Sequence, residues 1–284
     1  MKKVFLLLCL MATTVIASAT DVWEGEHAVE WKNTLKIEAA KFADMKLGDK
    51  LVIEFKEAKG EVIELHSNKT MLPGTRFEHH IFPNETYIEV FATPLMLSYL
   101  KEYGLEICGK DFTATKVWFG EGKNDIDELT AWRGYFWMDA WSKLEITKNC
   151  FEGVDWSKIS AIRFYSEAGR TDYEINILTK WGEGGKLGDQ STMTMTNEYA
   201  ELSLEGINMA TALADVDRLM IQCNKKGGEP FNFTQVQLIA KSTAVQAITA
   251  QKAAAAAEYF NLAGQRIAQP TKGLYIVNGK KIIK

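Results

Sequence analysis

Two stretches, "VWEGEHAVEWKNTLKIEAAKF" at residues 22–42 and "AWRGYFWMDAWSKLEITKNCF" at residues 131–151, set the organisation of the whole chain. Trp23 and Gly25 of the first fall on Trp132 and Gly134 of the second. Trp31 falls on Trp141, Leu35 and Ile37 on Leu144 and Ile146, and Phe42 on Phe151. The correspondence runs on through Ile53 and Phe55 with Ile162 and Phe164, then Ile63 and Leu65 with Ile175 and Ile177. Tyr87 and Val90 follow with Tyr199 and Leu202, Cys108 with Cys223, and Phe112, Thr115 and Val117 with Phe231, Thr234 and Val236. The offset drifts upward as small loop insertions would make it, so the chain reads as a tandem duplication, a pattern that precedes any element-by-element reading.

Within each copy the apolar residues alternate. "KLVIEF", "EVIEL", "TYIEVF" and "ATKVWF" in the first, and "AIRFY", "YEINIL", "AELSL" and "TQVQLIA" in the second, have the period of two expected of half-buried strands. "TPLMLSYLKEYG" is the exception. Thr93 can cap it, Pro94 suits the first helical position and Gly104 stops it; its partner falls around "INMATALADV". Many short strands with turns between them predict an all-β chain of two antiparallel, jelly-roll-like sandwiches, each with one short helix. The expected boundaries are 20–120 and 131–241, separated by a solvated polar linker at 121–130, with an alanine-rich linker at 242–257 and a tail at 258–284.

The two ends carry different signals. "MKKVFLLLCLMATTVIASA" has a basic start, a short apolar run and a small-x-small end, which predicts a secretory signal removed before Thr20. Its apolar run is too short for a membrane anchor, and Leu8 before Cys9 argues against lipid attachment. Removal of Lys2 and Lys3 takes the 33 basic residues to 31 against 37 acidic ones, so the formal charge moves from -4 to -6. An acidic surface argues against nucleic acid and anionic membranes as partners. Cys108, Cys150 and Cys223 remain, an odd and sparse set that reads as buried free thiols. At the other end, strands at 273–277 and 280–283 flank Asn278-Gly279, a strong two-residue hairpin signal.

The aromatics divide between core and surface. Alternation from residue 131 puts Trp132, Gly134 and Phe136 on one face and Arg133, Tyr135 and Trp137 on the other, so Trp132 and Phe136 are expected in the core. Trp31 and Trp141 lie eight and nine residues after Trp23 and Trp132. That one-residue slip requires a loop or bulge, and their polar neighbours make them candidates for exposed platforms. His79 and His80, adjacent in an extended segment, point to opposite faces and read as solvated loop residues rather than a metal pair.

The tail, through Tyr259, Leu262, Gly264, Gln265, Arg266, Gly273, Tyr275, Val277, Asn278, Gly279 and Lys280, resembles the C-terminal sorting segments of Bacteroidetes proteins exported by the type IX route. The order "VWEGE", a tryptophan, "KFADMKLGDKLVIEF", "TMLPG", the helix and "GLEICGKDFTATKVWF" resembles the tandem β-sandwich modules of secreted Bacteroidetes polysaccharide-utilisation proteins. That resemblance covers residues 22–119 well and copy two less fully, with Trp181 an aromatic shared by such modules. It implies non-catalytic binding of a polysaccharide, secretion or display at the cell surface, and contact with secretion machinery through the tail. Sugar rings stack on indole and phenol rings while charged and amide groups meet the hydroxyls. The candidate ligand-binding residues are Trp141, Trp181, Trp137 and Arg133 in copy two and Trp31, Glu24 and Arg76 in copy one, with copy two the richer. Stacking at about 1 to 2 kcal/mol per contact gives millimolar to high-micromolar binding, a strength at which two sites on one chain gain avidity. The alternative is a structural or adhesive envelope protein with its aromatics in the cores. A glycoside hydrolase, needing two carboxylates across a cleft, is the least supported, since neither G-x-S-x-G nor H-E-x-x-H occurs. No cofactor is expected; a structural calcium ion suits sandwiches of this kind, but no Asp-rich loop assigns one.

Overall fold

The computed structural model describes residues 19–167, 174–181, 185–187, 192–194, 199–223 and 230–241, together with the four short strands of the tail. The expected signal segment before residue 19 and the alanine-rich linker lie outside the described residues. The chain divides into two compact units, the first ending at Ala240 and the second beginning at Lys241.

The first half of the larger unit contains β1 (Thr20–Val29), β2 (Leu35–Ile37), β3 (Lys50–Lys56), β4 (Val62–Ser67), β5 (Thr70–Met71), β6 (His79–His80), β7 (Tyr87–Phe91), α1 (Pro94–Tyr103), β8 (Leu105–Gly109) and β9 (Phe112–Gly120). The second half has β10 (Thr130–Met138), β11 (Lys143–Thr147), β12 (Ile159–Ser166), β13 (Glu174–Leu178), β14 (Thr192–Thr194), β15 (Tyr199–Ser203), α2 (Met209–Ala212), β16 (Arg218–Cys223) and β17 (Phe231–Ala240). Its sheets run β1-β9-β3-β7 and β2-β8-β4-β5 in the first half, then β10-β17-β12-β15 and β11-β16-β13-β14 in the second, all antiparallel. Strand for strand, the second order repeats the first. Successive strands cross from sheet to sheet except at β4–β5–β6 and β13–β14, which is jelly-roll connectivity. The all-β class read from the alternating strands is therefore observed, and each half closes over its own apolar core.

The W-x-G signature has a physical cause. Both first strands bulge twice at equivalent places, between Asp21 and Trp23 and between Glu24 and His27 in β1, and between Thr130 and Trp132 and between Arg133 and Phe136 in β10. The indole then folds over the glycine two residues on: a Cβ at Gly25 would stand 3.2 Å from Trp23 Cζ2, and one at Gly134 only 2.7 Å from Trp132 Cζ2. As expected, Trp132 is buried and Phe136 packs partly buried against the same core. In α1, Thr93 accepts from Met96 N–H and Gly104 adopts φ +79° at the C-terminus, as the capping signals require. Its counterpart α2 is a single turn capped by Asn208.

Three of the aligned pairs need correction. In the sheets, Leu51 pairs with Phe119 and Val90, as Ile162 pairs with Leu238 and Leu202, so the structural equivalent of Ile162 is Leu51 and that of Phe164 is Ile53. A two-residue shift keeps every side chain on its own face, and alternation alone cannot detect it. Cys108 stands opposite Glu64, whereas Cys223 stands opposite Ile175 and so matches Gly109. That one-residue shift turns the two thiols to different faces. None of the three described cysteines forms a disulfide, and all are buried; burial pushes Cys108 up to about 12 and Cys223 up to about 11.

The stretch 121–130 keeps Glu121, Asn124, Asp125, Asp127 and Glu128 exposed, as expected of a polar linker, yet it is tied to both halves. Ile126 is buried, Lys123 N–H donates to Gly48 O at 2.8 Å, and Asp125 receives the Arg133 guanidinium at 3.1 and 3.3 Å. The halves also meet through the segment after β5. Phe77 N–H donates to Glu145 O at 2.9 Å and Arg76 bridges to Ile146, covering β11, the edge of its sheet. Asn149 Nδ2 donates to Met71 O and to Thr70 Oγ1, and Gly74 N–H approaches Cys150 Sγ at 3.1 Å.

In the smaller unit, Leu274–Val277 (β20) pairs with Lys280–Ile283 (β21), Val277 opposite Lys280, which leaves two residues for the connection. Strands Tyr259–Phe260 (β18) and Arg266–Ile267 (β19) complete an antiparallel sheet in the order β19-β18-β20-β21.

Candidate functional site

Where the two halves of the larger unit meet, the surface opens into a hollow of about 600 Å³. Module one supplies Arg76, Glu78, His79, His80, Phe82 and Glu85 from the segment between β5 and β7. Module two supplies Tyr135, Phe136 and Trp137 of β10 with Ser142, Lys143 and Glu145 at the start of β11. A second hollow of about 410 Å³ shares Arg76, His79, Glu85 and Tyr135 and continues to Tyr87. Together they form one groove. Along it the exposed aromatics are Trp137 at 60 %, Phe82 at 61 %, Tyr87 at 56 % and Tyr135 at 39 %. Rings left in water at this density, beside charged groups, make this groove the candidate site.

Local structure holds these groups in place. Glu85 Oε2 accepts from Phe82 N–H at 2.8 Å, closing the turn that presents the phenyl ring. Tyr135 is set by Phe91, its ring edge-on at 6.1 Å, and by the cations of Arg133 and Lys123 at 5.4 Å. Glu145 is buried, ion-paired to Lys143 and to Arg218 at 2.9 Å; Arg218 in turn lies 4.1 Å over the Phe77 ring. Arg76 rests 4.6 Å over Phe136.

His79 and His80 form the short strand β6 against β4. His79 is therefore not a solvated loop residue: burial first, then Arg76 and His80, push its pKa down to about 3. Among the described residues no three His, Cys, Asp or Glu side chains are grouped to hold a metal ion. The unfolded histidine, near its ordinary 6.5, binds a proton that the folded one refuses between pH 6.5 and 3, so folding stability falls as pH drops through that window. Denaturant titrations from pH 7 to pH 4 are expected to show this loss, and His79→Gln is expected to flatten it; an unchanged slope in the variant would assign the loss to other groups.

The sequence candidates scatter over this surface. Trp137 and Arg76 line the groove. Trp181, 53 % exposed at the end of β13, lies 5.1 Å from the Lys143 ammonium and so extends the aromatic surface from the groove's module-two wall. Trp31 and Trp141 are both exposed at the tips of equivalent turns, Glu30–Asn33 and Asp139–Ser142. Trp31 is the first tip residue and Trp141 the second, which accounts for the one-residue slip. At φ +67° Trp141 accepts a strained backbone of the kind that clusters at functional positions. Glu24 is exposed on β1 opposite Lys116, outside the groove. Arg133 is buried, its guanidinium spent on Asp125 and on the carbonyls of Gly134 and Thr234; it positions Tyr135 and is not free to meet a ligand.

Phe82, Tyr87, Tyr135, His79 and Glu85 were not among the expected site residues, and copy one contributes as much as copy two. The segment "RFEHHIFPNETY" held the available signal: aromatics, histidines and turn formers crowded between two strands.

No known family model matches this chain, and no curated protein does either. Among solved structures, a conserved protein of unknown function from Pseudomonas aeruginosa PAO1 aligns over 68 % of this chain and 71 % of its own, at 10 % identity and TM-score 0.19. A candidate secreted protein from Parabacteroides distasonis ATCC 8503 aligns over 80 % of this chain and 90 % of its own, at 11 % identity and TM-score 0.21. Similarity this slight transfers neither fold nor activity. No helix among the described residues is long and apolar enough to cross a membrane.

Proposed function

We propose that the chain is a non-catalytic carbohydrate-binding protein that holds a polysaccharide along the groove between its two sandwiches. One observation carries this reading: Trp137 and Phe82, contributed by different modules and each about 60 % exposed, line a single hollow with charged and imidazole groups beside them. Pyranose faces stack on such rings, and an open groove admits a polymer at any point along its length. The exposure of Trp31, Trp141 and Trp181 supports the same reading, since an envelope spacer would keep its tryptophans in its cores. A binding rather than hydrolytic role is favoured by the carboxylates themselves. Two of those lining the hollow are engaged, Glu145 by two cations and Glu85 by a backbone amide, which leaves Glu78 without a second free carboxylate across the hollow among the described residues. The proposal includes export after cleavage before Thr20, with the C-terminal segment engaging the secretion machinery.

The test is affinity electrophoresis of the chain from Thr20 onward through gels containing xylan, β-glucan, mannan, pectin or mucin glycans. Retardation on at least one polymer is expected. Trp137→Ala and Phe82→Ala are each expected to weaken it about tenfold, from stacking contributions of about 1 to 3 kcal/mol per ring, with melting temperatures close to the parent's. A parent that migrates freely through every gel would favour the structural or adhesive alternative.

A further inference from the structure

Arg76 stands where the two hollows of the groove meet. Arg133, Arg163 and Arg218 each pair with a carboxylate. Arg76 has no such partner: its guanidinium lies over Phe136, and no described residue accepts a hydrogen bond from it. Burial is severe enough to lower its pKa to about 10, with Glu85 acting only through space. Of the carboxylates lining the groove, Glu78 and Glu89 make no ion pair with it among the described residues, and the other two are engaged. Glu85 is turned onto Phe82 N–H at 2.8 Å, and Glu145 is shared by Lys143 and Arg218. A largely buried cation without a counter-ion is costly, and the fork of a guanidinium fits a planar carboxylate through two parallel hydrogen bonds. Next to it, neutral His79 offers one donor and one acceptor to a hydroxyl, and Tyr135 offers a ring face on the same wall.

We infer that the groove is built for an acidic glycan, a chain of sugars bearing uronic-acid carboxylates, with Arg76 receiving a carboxylate while the neighbouring rings stack on Tyr135 and Trp137. This rests on the glycan-binding reading and narrows it. The neutral sugar faces supply stacking, and Arg76, unpaired among the described residues of the groove, selects the charge.

Binding is to be measured by tryptophan fluorescence and calorimetry on the chain from Thr20 onward. The ligands are oligomers of galacturonate, of mannuronate and guluronate, of glucuronoxylan and of hyaluronan, each beside the same oligomer with its carboxyls reduced to primary alcohols. Poly-glutamate is the sugar-free control. At least one acidic oligomer is expected to bind about 10- to 100-fold more tightly than its reduced form, as a charge-assisted bidentate contact provides. Arg76→Gln is expected to remove that preference and Arg76→Lys to keep part of it. Because Arg76 also packs on Phe136, each variant's melting curve is recorded, and the comparison of native with reduced oligomers requires no variant. Equal binding of acidic and reduced forms overturns this inference and leaves glycan binding standing. Binding of neither form, with no retention on the neutral polymers, overturns both. Poly-glutamate bound as tightly as the best oligomer would overturn the acidic glycan in favour of a peptide carboxylate.

Discussion

Trp132→Ala is expected to destabilise the larger unit by about 3 to 5 kcal/mol, the range for deleting a large aromatic from a packed core. For a cooperative unit of this size that corresponds to a fall of roughly 10 °C in melting temperature. The indole is 2 % exposed, stacks at 5.7 Å on Phe233, which in turn meets Phe164 at 6.4 Å, and fills the space above Gly134. The cavity left behind has little to collapse into it, because its walls belong to both sheets. Gly134→Ala is the reciprocal experiment. Its new methyl would lie 2.7 Å from the ring, so the indole must shift or the bulge open, and overpacking of this kind costs about 1 to 3 kcal/mol. In copy one Trp23 is only partly buried and the corresponding Gly25 approach is a looser 3.2 Å. Trp23→Ala is therefore expected to cost less than Trp132→Ala. Calorimetric melts of the two variants side by side check this order, and equal losses would show that the duplicated signature has the same weight in both halves.

Separating the sandwiches should prove as damaging as emptying one of them. The chain from Thr20 to Ala240 is expected to unfold in a single transition, and fragments divided near residue 125 to melt well below it or to aggregate. Division exposes the edge of β11, now covered by Phe77 and Arg76, and an uncovered edge strand templates association. It also breaks the cation–ring contacts of Arg76 with Phe136 and of Arg218 with Phe77, each worth about 0.5 to 2 kcal/mol. The Asn149 and Tyr99 hydrogen bonds across the junction go too, at about 1 kcal/mol apiece. Urea unfolding followed by fluorescence and circular dichroism distinguishes the cases. Two resolved transitions in the intact chain would mean that the junction is held too weakly to couple the halves, and a binding groove shared between them would then lack a rigid frame.

Several features of this molecule were legible in single residues. Thr93, Pro94 and Gly104 marked the helix because caps are local chemistry, settled within one turn of backbone. Trp132 and Phe136 could be assigned to the core, and Trp137, Trp31 and Trp141 to the surface, from face alternation and neighbouring polarity. The signal failed where the answer lay in another strand. Arg133 sits on the face opposite Trp132 and looked available, yet Asp125 and two carbonyls enclose it from segments that alternation does not see. The charged run at 121–130 is largely exposed, as its polar composition suggests, but its anchoring to Gly48 and Arg133, distant in sequence or on the next strand, was not legible.

By itself the sequence determined the duplication, the all-β class and the short helix, since each follows from a periodicity or a cap written into contiguous residues. It left the register of the third strand of each copy open by two residues, because a period of two is unchanged by that shift, and only hydrogen bonding to the flanking strands chose between the alternatives. The groove belongs wholly to the tertiary structure. Phe82 and Trp137 lie in different copies, and their proximity depends on one loop covering the edge of the other sandwich. Edge pairing and interface packing are non-local interactions, and no pattern within either copy encodes them.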